Sequence, residues 1–433
     1  MKKPAPPTAV VMNMFYTGLG IARSLGEQGI PVIGLTSQHF IYGNFTRYAT
    51  IRRCPDSRNE PEALLGWLQQ MGKELGSRSI LFPTRDDDVA FLDRFREALQ
   101  PYFILTIPES NVVNTCLSKW ETFLCAAEAG VNTPTCWLIE NRSDVLRLAP
   151  NATYPCVLKP VMARDWRRGA NWSIVGARKA IAVTSSEELV AAYDEIARAE
   201  PRAVVQEMVL GADDCLVIAA CYLDRNSKFV AGFNTRKLCQ IPEGFGTGCI
   251  VETVDRPELF EPAIRLLQHM RFTGIAEVEF KWDASVGAYR LIEINPRAWD
   301  QHRLGAACGT DLILLAYCEH AGWKMPKSNR QAGNRKWVAE DVLCMNAFRS
   351  LWKRDPHLLS MLRLARGKRV WAIWSARDPL PAIAFFITRF FPGLIRLAFH
   401  TLLSTIKRKL GNGRLLEKDL IYENDFTKGK SPS

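Results

Sequence analysis

The sequence predicts an α/β domain, followed by a larger α+β domain and then by a basic extension with helical character. Three observations predict this order. Strand and helix signals alternate over the first 110 residues, strands in antiparallel hairpins dominate residues 155–295, and basic charge accumulates after residue 329. A length of 433 residues with 47% hydrophobic residues is typical of a globular protein with about two to four domains.

The first region has short apolar runs separated by helical segments, which predicts parallel β-α-β units. Strands are expected at residues 9–12, 31–35 and 80–83, and a helix at 86–99. Gly18 and Gly20 follow the first strand, where a nucleotide-binding loop could begin, but the full GxGxxG motif is absent. We therefore interpret them as turn geometry, and cofactor binding there is the less favoured alternative.

The second region is rich in strands. Its expected strands are 156–159, 203–206, 215–223, 229–233, 276–282 and 289–294, and its expected helices are 119–130, 187–199 and 258–270. Periodicities of two and of 3.6 residues distinguish the strands from the helices. The mixture predicts an α+β domain whose hairpins differ in texture from the preceding β-α-β units.

The net charge of +11 would suggest a nucleic-acid or anionic-membrane partner if it were evenly spread. It is not, because residues 330–433 hold 20 basic and 8 acidic residues while the first 329 residues hold 36 and 37. The charge excess therefore concerns the extension alone. No aromatic-basic recognition module is present, so no nucleic acid is expected as a partner.

Cysteines and the N-terminus indicate a reducing compartment. The 12 cysteines are scattered, none forms CxxC, and several lie in apolar runs, where a free thiol acts as a small hydrophobe. We expect no signal peptide in the residues before Tyr16, and no uncharged apolar run reaches the ~18 residues needed to span a bilayer. We expect a cytoplasmic protein, peripheral at most at the inner face of the membrane.

Two strands of the second domain carry oxygen ligands in alternation. Glu277 and Glu279 share one face of their strand, and Glu293 and Asn295 share one face of the next. The alternative is a solvated sheet face, but Asn295 between Ile294 and Pro296 is a poor strand former. Two carboxylates and an amide oxygen suit Mg²⁺ held together with phosphates, and not Zn²⁺.

Other polar groups accompany this pattern. Lys159 ends an apolar strand before Pro160, where an ammonium could meet a phosphate oxygen, although a lone strand-end lysine is usually only solvated. Arg297 adds a fork for a phosphoryl or carboxylate oxygen. Residues 204–214 run from an apolar strand into a glycine turn with acids, a connector that could meet an adenine and a ribose.

Together and in this order, these residues resemble the ATP-grasp superfamily. The matching elements are Ser118-Lys119-Trp120-Glu121, Val157-Leu158-Lys159-Pro160, Gln206-Glu207 with Gly211-Ala212-Asp213-Asp214, Val278-Glu279-Phe280 and Glu293-Ile294-Asn295-Pro296-Arg297. The resemblance spans residues 8–325. It implies a βαβ pre-grasp domain over residues 1–115 and an ATP-grasp domain over 116–328, with a basic, partly amphipathic helical extension over 329–433.

The resemblance also implies roles for individual residues. Lys119 and Lys159 would contact the ATP phosphates. Glu207 would lie at the adenine, and Asp213 or Asp214 at the ribose. The residues that would hold Mg²⁺ (or Mn²⁺) are Glu279, Glu293 and Asn295. Arg297 would steady the transferred phosphoryl group, and Arg236 and Lys237 would hold a substrate carboxylate.

Within the superfamily, residues 232–252 look most like carboxylate–amine ligases such as D-aspartate ligase. The implied reaction forms an amide bond from a small carboxylate and an amine through an acyl phosphate, releasing ADP and phosphate. A non-catalytic ATP-binding module at a membrane surface is the alternative. No nucleophilic side chain is needed, so His302 is interpreted as a structural hydrogen-bonding group.

One segment departs from the superfamily pattern. Residues 161–171 should form the mobile loop over the triphosphate, but they carry three arginines (Arg164, Arg167 and Arg168) and a single glycine, Gly169. The arginines could replace the loop as phosphate clamps, or they could face an anionic acceptor.

The extension contains an amphipathic helix signal from Pro392 to about Leu410. Arg396, His400 and Lys407 fall on one side of a helical wheel, and apolar residues fall on another. Such a helix can dock on its own domain or lie on an anionic membrane. Membrane contact through residues 379–410 is therefore one expectation, and docking on the domain is the other.

Overall fold

The computed structural model describes residues 6–241, 244, 246–328, 333, 335–345 and 357–393. These residues form three sheets of five, seven and four strands. Apolar side chains from all three sheets are buried in four separate clusters. The largest cluster joins the first sheet to the seven-stranded sheet, so the pre-grasp and central units share a core.

The first sheet is fully parallel and has the strand order β3-β2-β1-β4-β5. Its strands are β1 (Ala9–Met12), β2 (Val32–Thr36), β3 (Thr50–Arg53), β4 (Ser79–Phe82) and β5 (Phe103–Leu105). Its helices are α1 (Tyr16–Gly26), α2 (Pro61–Leu75), α3 (Asp86–Arg94) and α4 (Arg96–Leu99). The strand order reverses between β1 and β4, and such a switch opens a crevice at the carboxyl ends of the strands.

Gly18 and Gly20 serve close packing. A Cβ atom on Gly18 would lie 1.9 Å from the Asn13 carbonyl oxygen, and one on Gly20 would lie 2.5 Å from His302 Nε2. Both distances are too short for any side chain. The two glycines thus let α1 approach the preceding loop and the loop that carries His302, which agrees with the interpretation as backbone geometry.

The four-stranded sheet is antiparallel, with the order β6-β9-β7-β8. Its strands are β6 (Cys136–Ile139), β7 (Cys156–Pro160), β8 (Ile181–Val183) and β9 (Ala203–Glu207). The helices in this part of the chain are α5 (Ser110–Leu117), α6 (Lys119–Glu128), α7 (Arg142–Leu148), α8 (Ala163–Arg167), α9 (Asn171–Ile174) and α10 (Ser186–Ile196). The sheet places β7 and β9 side by side, so the end of β7 faces buried residues of β9.

The seven-stranded sheet has the order β14-β13-β10-β11-β12-β15-β16. Its strands are β10 (Leu216–Leu223), β11 (Phe229–Ile241), β12 (Thr247–Thr253), β13 (Gly274–Asp283), β14 (Ala288–Asn295), β15 (Arg335–Val338) and β16 (Lys368–Trp371). The later helices are α11 (Phe260–His269), α12 (Arg303–Ala307), α13 (Leu312–His320), α14 (His357–Leu364) and α15 (Leu380–Phe385). All neighbouring strands are antiparallel except β15 and β16, which are parallel.

The described residues also form short 3₁₀ and π-helical turns. The 3₁₀ turns are Tyr42–Phe45, Ala149–Asn151, Asp213–Cys215 and Pro257–Leu259, and a π-helical turn at Phe386–Phe390 follows α15. All twelve cysteines are free thiols. No helix among the described residues is long and apolar enough to cross a membrane.

Part of the predicted extension belongs to the central sheet. β15 pairs with β12 from residue 335 onward, and β16 continues the sheet. Beyond it, the buried Asp378 carboxylate accepts from Arg23 Nε at 2.9 Å and from Thr46 Oγ1 at 2.7 Å, which ties the segment to the first domain. The proposed domain boundary after residue 328 stays a prediction. It would assign the paired strands β12 and β15 to different domains.

The predicted amphipathic helix is mostly outside the described residues, since residues 394–433 are not described. The described residues just before it expose several large apolar side chains: Leu380, Ile383, Phe386, Ile387 and Phe391. The structure therefore leaves docking on the domain and membrane contact open as predictions for residues 379–410.

Candidate functional site

A cavity of about 430 Å³ lies where the three sheets approach one another. One wall comes from β13 and β14 of the central sheet, and a second from the end of β7 with the segment that follows it. The third wall comes from the first domain, at the loops after β1 and β4. The cavity therefore includes the crevice that the strand order of the first sheet predicts.

The four oxygen-bearing side chains lie together on neighbouring strands. Glu277 is the register partner of Asn295, and Glu279 is the register partner of Glu293. Alternation places all four on the face that lines the cavity. The two-strand pattern expected from the sequence is thus brought together in space.

Negative charge is crowded on this face, so a bound cation would stabilise it. Burial, and then the charge of Glu279, raise the pKa of Glu277 well above its usual range. Asn295 Nδ2 donates to Glu277 Oε2 at 2.9 Å. Two crowded carboxylates and an amide oxygen form the oxygen-only donor set that Mg²⁺ takes together with phosphates. These residues therefore fit the metal that the fold family implies.

The protein side chains alone do not form a closed metal cage. No group of three or more His, Cys, Asp and Glu side chains in the described ranges is arranged to hold a metal ion. Instead, Lys119 Nζ lies 3.0 Å from Glu293 Oε2, and Lys237 Nζ lies 2.8 Å from Glu279 Oε2. An ammonium group thus contacts each of the carboxylates of Glu279 and Glu293. A metal ion at this face would also need oxygen ligands from a bound molecule.

Lys119 is held at the start of α6. Ser118 caps this helix through its hydroxyl group, which accepts from Glu121 N at 3.2 Å, and the Lys119 backbone N–H donates to Val161 O at 2.9 Å. Although burial opposes the charge, the Glu293 carboxylate raises the pKa of Lys119 above its usual value. In return, the Lys119 ammonium lowers the pKa of Glu293 well below its usual range.

Lys159 lacks a carboxylate partner among the described residues. Its Nζ donates to the neutral amide oxygen of Gln206 at 2.7 Å, across the β7–β9 pair. Burial, and then the nearby Lys119 charge, lower the pKa of Lys159 to about 8. An ammonium without a counter-charge in a buried cavity is prepared to receive an anion.

The lowered pKa of Lys159 predicts a pH dependence of nucleotide binding. Above about pH 8 the free protein loses this charge, so the Kd for a non-hydrolysable ATP analogue should rise by up to about tenfold per pH unit. Below about pH 7 the Kd should not depend on this group. Calorimetric titrations from about pH 6.5 to 9.5 would measure this. Lys159→Arg keeps its charge throughout, so it should flatten the rise; an equally steep rise in that variant would contradict the assignment.

Arg236 and Lys237 separate onto opposite faces of β11. Lys237 is 7% exposed and lines the cavity. Arg236 is not among the lining residues, and its Nε donates to Glu252 Oε1 at 2.6 Å on β12. The expectation that both hold a substrate carboxylate stays a prediction, and only Lys237 faces this cavity, because adjacent strand residues point in opposite directions.

Arg297 connects the central sheet to the first domain. Its Nε donates to Asp86 Oδ1 at 2.7 Å, and its Nη2 donates to Asn295 Oδ1 at 3.3 Å. Although burial opposes ionisation of Asp86, the Arg297 guanidinium lowers the pKa of that carboxyl. With a third hydrogen bond from Nη1 to Ala298 O at 3.1 Å, Arg297 stands at the oxygen-bearing face in a fixed orientation.

The expected adenine and ribose residues lie outside the cavity lining. The Glu207 carboxylate accepts from Thr135 N at 3.0 Å and from Arg290 Nη1 at 2.7 Å. Asp213 accepts from the backbone and side chain of Gln240, at 2.9 and 2.8 Å, and Asp214 is exposed. Their nucleotide roles stay predictions, and Asp213 has a visible role in positioning Gln240.

The segment after Lys159 folds into α8 and α9. Arg167 lines the cavity, while Arg164 and Arg168 do not. Lys179, just before β8, also lines it and lies 3.5 Å from Thr247 Oγ1. Sequence reasoning missed Lys179, because its position depends on how the segment folds back over the central sheet.

Sequence reasoning also missed the contribution of the first domain. The lining residues come from the loops after β1 and β4 and from the first turn of α3: Phe15, Thr84, Arg85, Asp86 and Asp87. The available signal was their position, since polar residues directly after parallel strands at a switch point commonly contact a ligand. Asp300 and Gln301 likewise line the cavity in the loop after β14.

Comparison with known proteins identifies a shared family model. Residues 249–327 match the model described as "Carbamoyl-phosphate synthase L chain, ATP binding domain". The chain is 19% identical over 303 residues to the D-aspartate ligase of Enterococcus faecium (strain Aus0004), a match covering 66% of this chain and 69% of that protein.

Solved structures with similar folds include a biotin carboxylase domain and an L-amino acid ligase. The biotin carboxylase domain of Hydrogenobacter thermophilus 2-oxoglutarate carboxylase, solved with MgADP, ADP and bicarbonate, has a TM-score of 0.59 and 16% identity, covering 77% of this chain and 74% of that one. An L-amino acid ligase from Bacillus licheniformis has a TM-score of 0.56 and 15% identity, covering 75% and 76%. This chain therefore shares its overall fold with these two structures.

Proposed function

We propose that this chain, which has the ATP-grasp fold, is an Mg²⁺- and ATP-dependent ligase that joins a small carboxylate to an amine. One observation carries the proposal. The cavity combines an oxygen-only face (Glu277, Glu279, Glu293 and Asn295) with lysines that can receive phosphates. The ligase names of the relatives at 19% and 15% identity agree with this chemistry.

The cavity can neutralise the phosphate charge with lysine side chains and with a bound metal ion. Lys119 and Lys159 are half-buried cations that can neutralise the triphosphate, and Lys159 has no competing carboxylate partner in the described ranges. Mg²⁺ at Glu279, Glu293 and Asn295 would supply Lewis-acid stabilisation of the phosphate oxygens. Little covalent work is then required of the protein, since phosphoryl transfer depends mainly on positioning and electrostatics.

Arg297 suits the second half of the reaction. A substrate carboxylate oxygen would attack the γ-phosphorus, ADP would leave, and an acyl phosphate would form. The amine nitrogen would then attack the acyl carbon, and phosphate would leave as the nitrogen loses a proton. The Arg297 guanidinium, oriented by Asp86 at 2.7 Å, can hold the phosphoryl oxygens through both steps.

The test is ADP release by the purified chain with ATP and Mg²⁺. Carboxylates would be offered in pairwise combination with amino acids, beginning with D-aspartate because a relative is named for it. We expect at least one pair to release ADP, with an amide of the summed mass minus water in the mass spectrum. If every pair leaves ATP intact, or if ADP appears without an amide, the ligase assignment is wrong.

The second candidate is an ATP-binding module without turnover at a membrane surface. The exposed apolar side chains of residues 380–391 and the basic residues after them favour contact with an anionic bilayer. Co-sedimentation with phosphatidylserine vesicles would compare the full chain with a truncation after residue 393. Equal sedimentation would exclude residues 394–433 as the contact. Tight ATP binding without turnover would favour the module.

We propose the cytoplasm as the location of this reaction. Twelve free thiols, several of them buried, suit a reducing compartment. Cell fractionation with an antibody to the chain would test it, and recovery in an oxidising compartment would contradict it.

A further inference from the structure

Asp300 is a cavity carboxylate that the proposed metal and phosphate chemistry does not use. It lies in the loop after β14, is half-buried, and lines the cavity. Its Oδ1 accepts from the Thr17 hydroxyl at 2.8 Å, so a residue of the first domain orients it.

The loop that carries Asp300 is held in place from two sides. His302 Nε2 lies 3.2 Å from the Thr17 carbonyl oxygen. Burial lowers the pKa of His302 to about 3, so its ring is neutral and Nε2–H donates to that oxygen. Two hydrogen bonds to one residue of α1, Thr17, therefore fix the loop and orient Asp300.

Asp300 differs from the other carboxylates of the cavity wall outside the metal face. Asp86 is paired with Arg297 at 2.7 Å, and Asp87 with Arg58 Nε at 2.9 Å. Within the described ranges, Asp300 has no cation within salt-bridge distance, although Arg297 and Lys179 line the same cavity. The wall thus contains one fixed carboxylate whose charge is not matched by a contact.

An unmatched, partly buried carboxylate is costly unless a ligand supplies the counter-charge. Burial raises the pKa of Asp300, while the Thr17 hydrogen bond and the charges of Arg297 and Lys179 oppose that rise. A metal ion is a poor occupant, since the neighbouring donors are a hydroxyl and cationic side chains and Mg²⁺ demands several oxygens. A ligand ammonium satisfies both the charge and the free carboxylate oxygen.

We propose that Asp300 binds the ammonium group of the amine substrate, and that this substrate is an amino acid. Lys179, in the same cavity, supplies positive charge for the carboxylate of such a zwitterion. This inference depends on the proposed ligase function for its biological meaning. It adds the substrate class and a residue that recognises it.

The test measures binding, so it does not depend on turnover. Wild type and Asp300→Asn would be saturated with a non-hydrolysable ATP analogue and Mg²⁺. They would then be titrated calorimetrically with the twenty common amino acids, D-aspartate, and the N-acetyl derivative of each amino acid that binds. Wild type should bind at least one amino acid about 10–100 times more tightly than its N-acetyl derivative, in line with a hydrogen bond between charged groups.

Asp300→Asn should lose that preference while its affinity for the ATP analogue stays within about twofold. Thr17→Val removes only the orienting hydroxyl and should cost a smaller factor. Glu258→Gln, an exposed acid outside the cavity, is the control and should match wild type. Circular dichroism and nucleotide affinity show that each variant is folded.

The outcomes separate this inference from the ligase proposal. Amino-acid binding that depends on Asp300, without ADP release from any mixture, would leave the ammonium site standing and reject the ligase. ADP release with an unchanged amine KM in Asp300→Asn would reject the ammonium site alone. Equal binding of acetylated and free amino acids by wild type, or no binding of any amino acid, would also overturn it.

Discussion

Glu293→Gln is expected to lower the rate of ADP release by more than about 100-fold, beyond the 10–100-fold typical of groups around a metal ligand. Glu293 is both a candidate Mg²⁺ ligand and the partner of Lys119 at 3.0 Å. Glutamine keeps the shape but removes the charge, so the metal loses an anionic ligand and Lys119 loses its orientation. The rate would be measured under saturating ATP with the substrate pair that the panel identifies.

A matched control distinguishes the site from its strand context. Glu252→Gln breaks a comparable cross-strand ion pair, with Arg236 Nε at 2.6 Å, outside the cavity lining. We expect this variant to retain ADP release within about threefold, since surface substitutions away from a site usually have small effects. If Glu293→Gln retained full activity, the metal face would be wrongly assigned.

Asp378→Ala is expected to lower the free energy of unfolding by about 3–5 kcal/mol. Asp378 and Arg23 are 0% and 2% exposed, and the Asp378 carboxylate also accepts from Thr46 Oγ1 and Arg47 N. Removing the carboxylate leaves the Arg23 guanidinium buried without a counter-charge. Urea unfolding, followed by circular dichroism and tryptophan fluorescence, would measure the change.

The control for this prediction is an exposed ion pair of similar geometry. Arg142 Nε and Asp194 Oδ1 are 2.7 Å apart, with side chains 57% and 43% exposed. Asp194→Ala should cost at most about 1 kcal/mol, because solvent screens such pairs. If Asp378→Ala cost no more than that, the segment after β16 would not be part of the cooperative fold.

The oxygen-bearing face could be anticipated from sequence because strand geometry is local. Glu277 with Glu279, and Glu293 with Asn295, must share a face wherever the two strands lie. The hairpin connection then makes the two strands neighbours, as the register shows. The same alternation requires that the side chains of Arg236 and Lys237 diverge.

Contacts between distant parts of the chain could not be anticipated in this way. Asp86 meets Arg297, Thr17 meets Asp300 and Lys119 meets Glu293, over separations of 211, 283 and 174 residues. No periodicity encodes such pairs, because they arise when three sheets are packed together. β15 and β16 were also missed, since two of the four residues in each are basic and neither forms the apolar run that marks β1.

By itself, the sequence determined the order of an α/β unit and an α+β unit, an architecture that solved structures share, and the common face of the oxygen ligands. Both follow from local periodicity and from motifs within single elements. Only the tertiary structure decided that the first domain forms a cavity wall, that Asp300 stands there without a cation partner in the described ranges, and that residues 335–371 extend the central sheet. The physical reason is that burial and charge pairing depend on which surfaces meet in the folded chain.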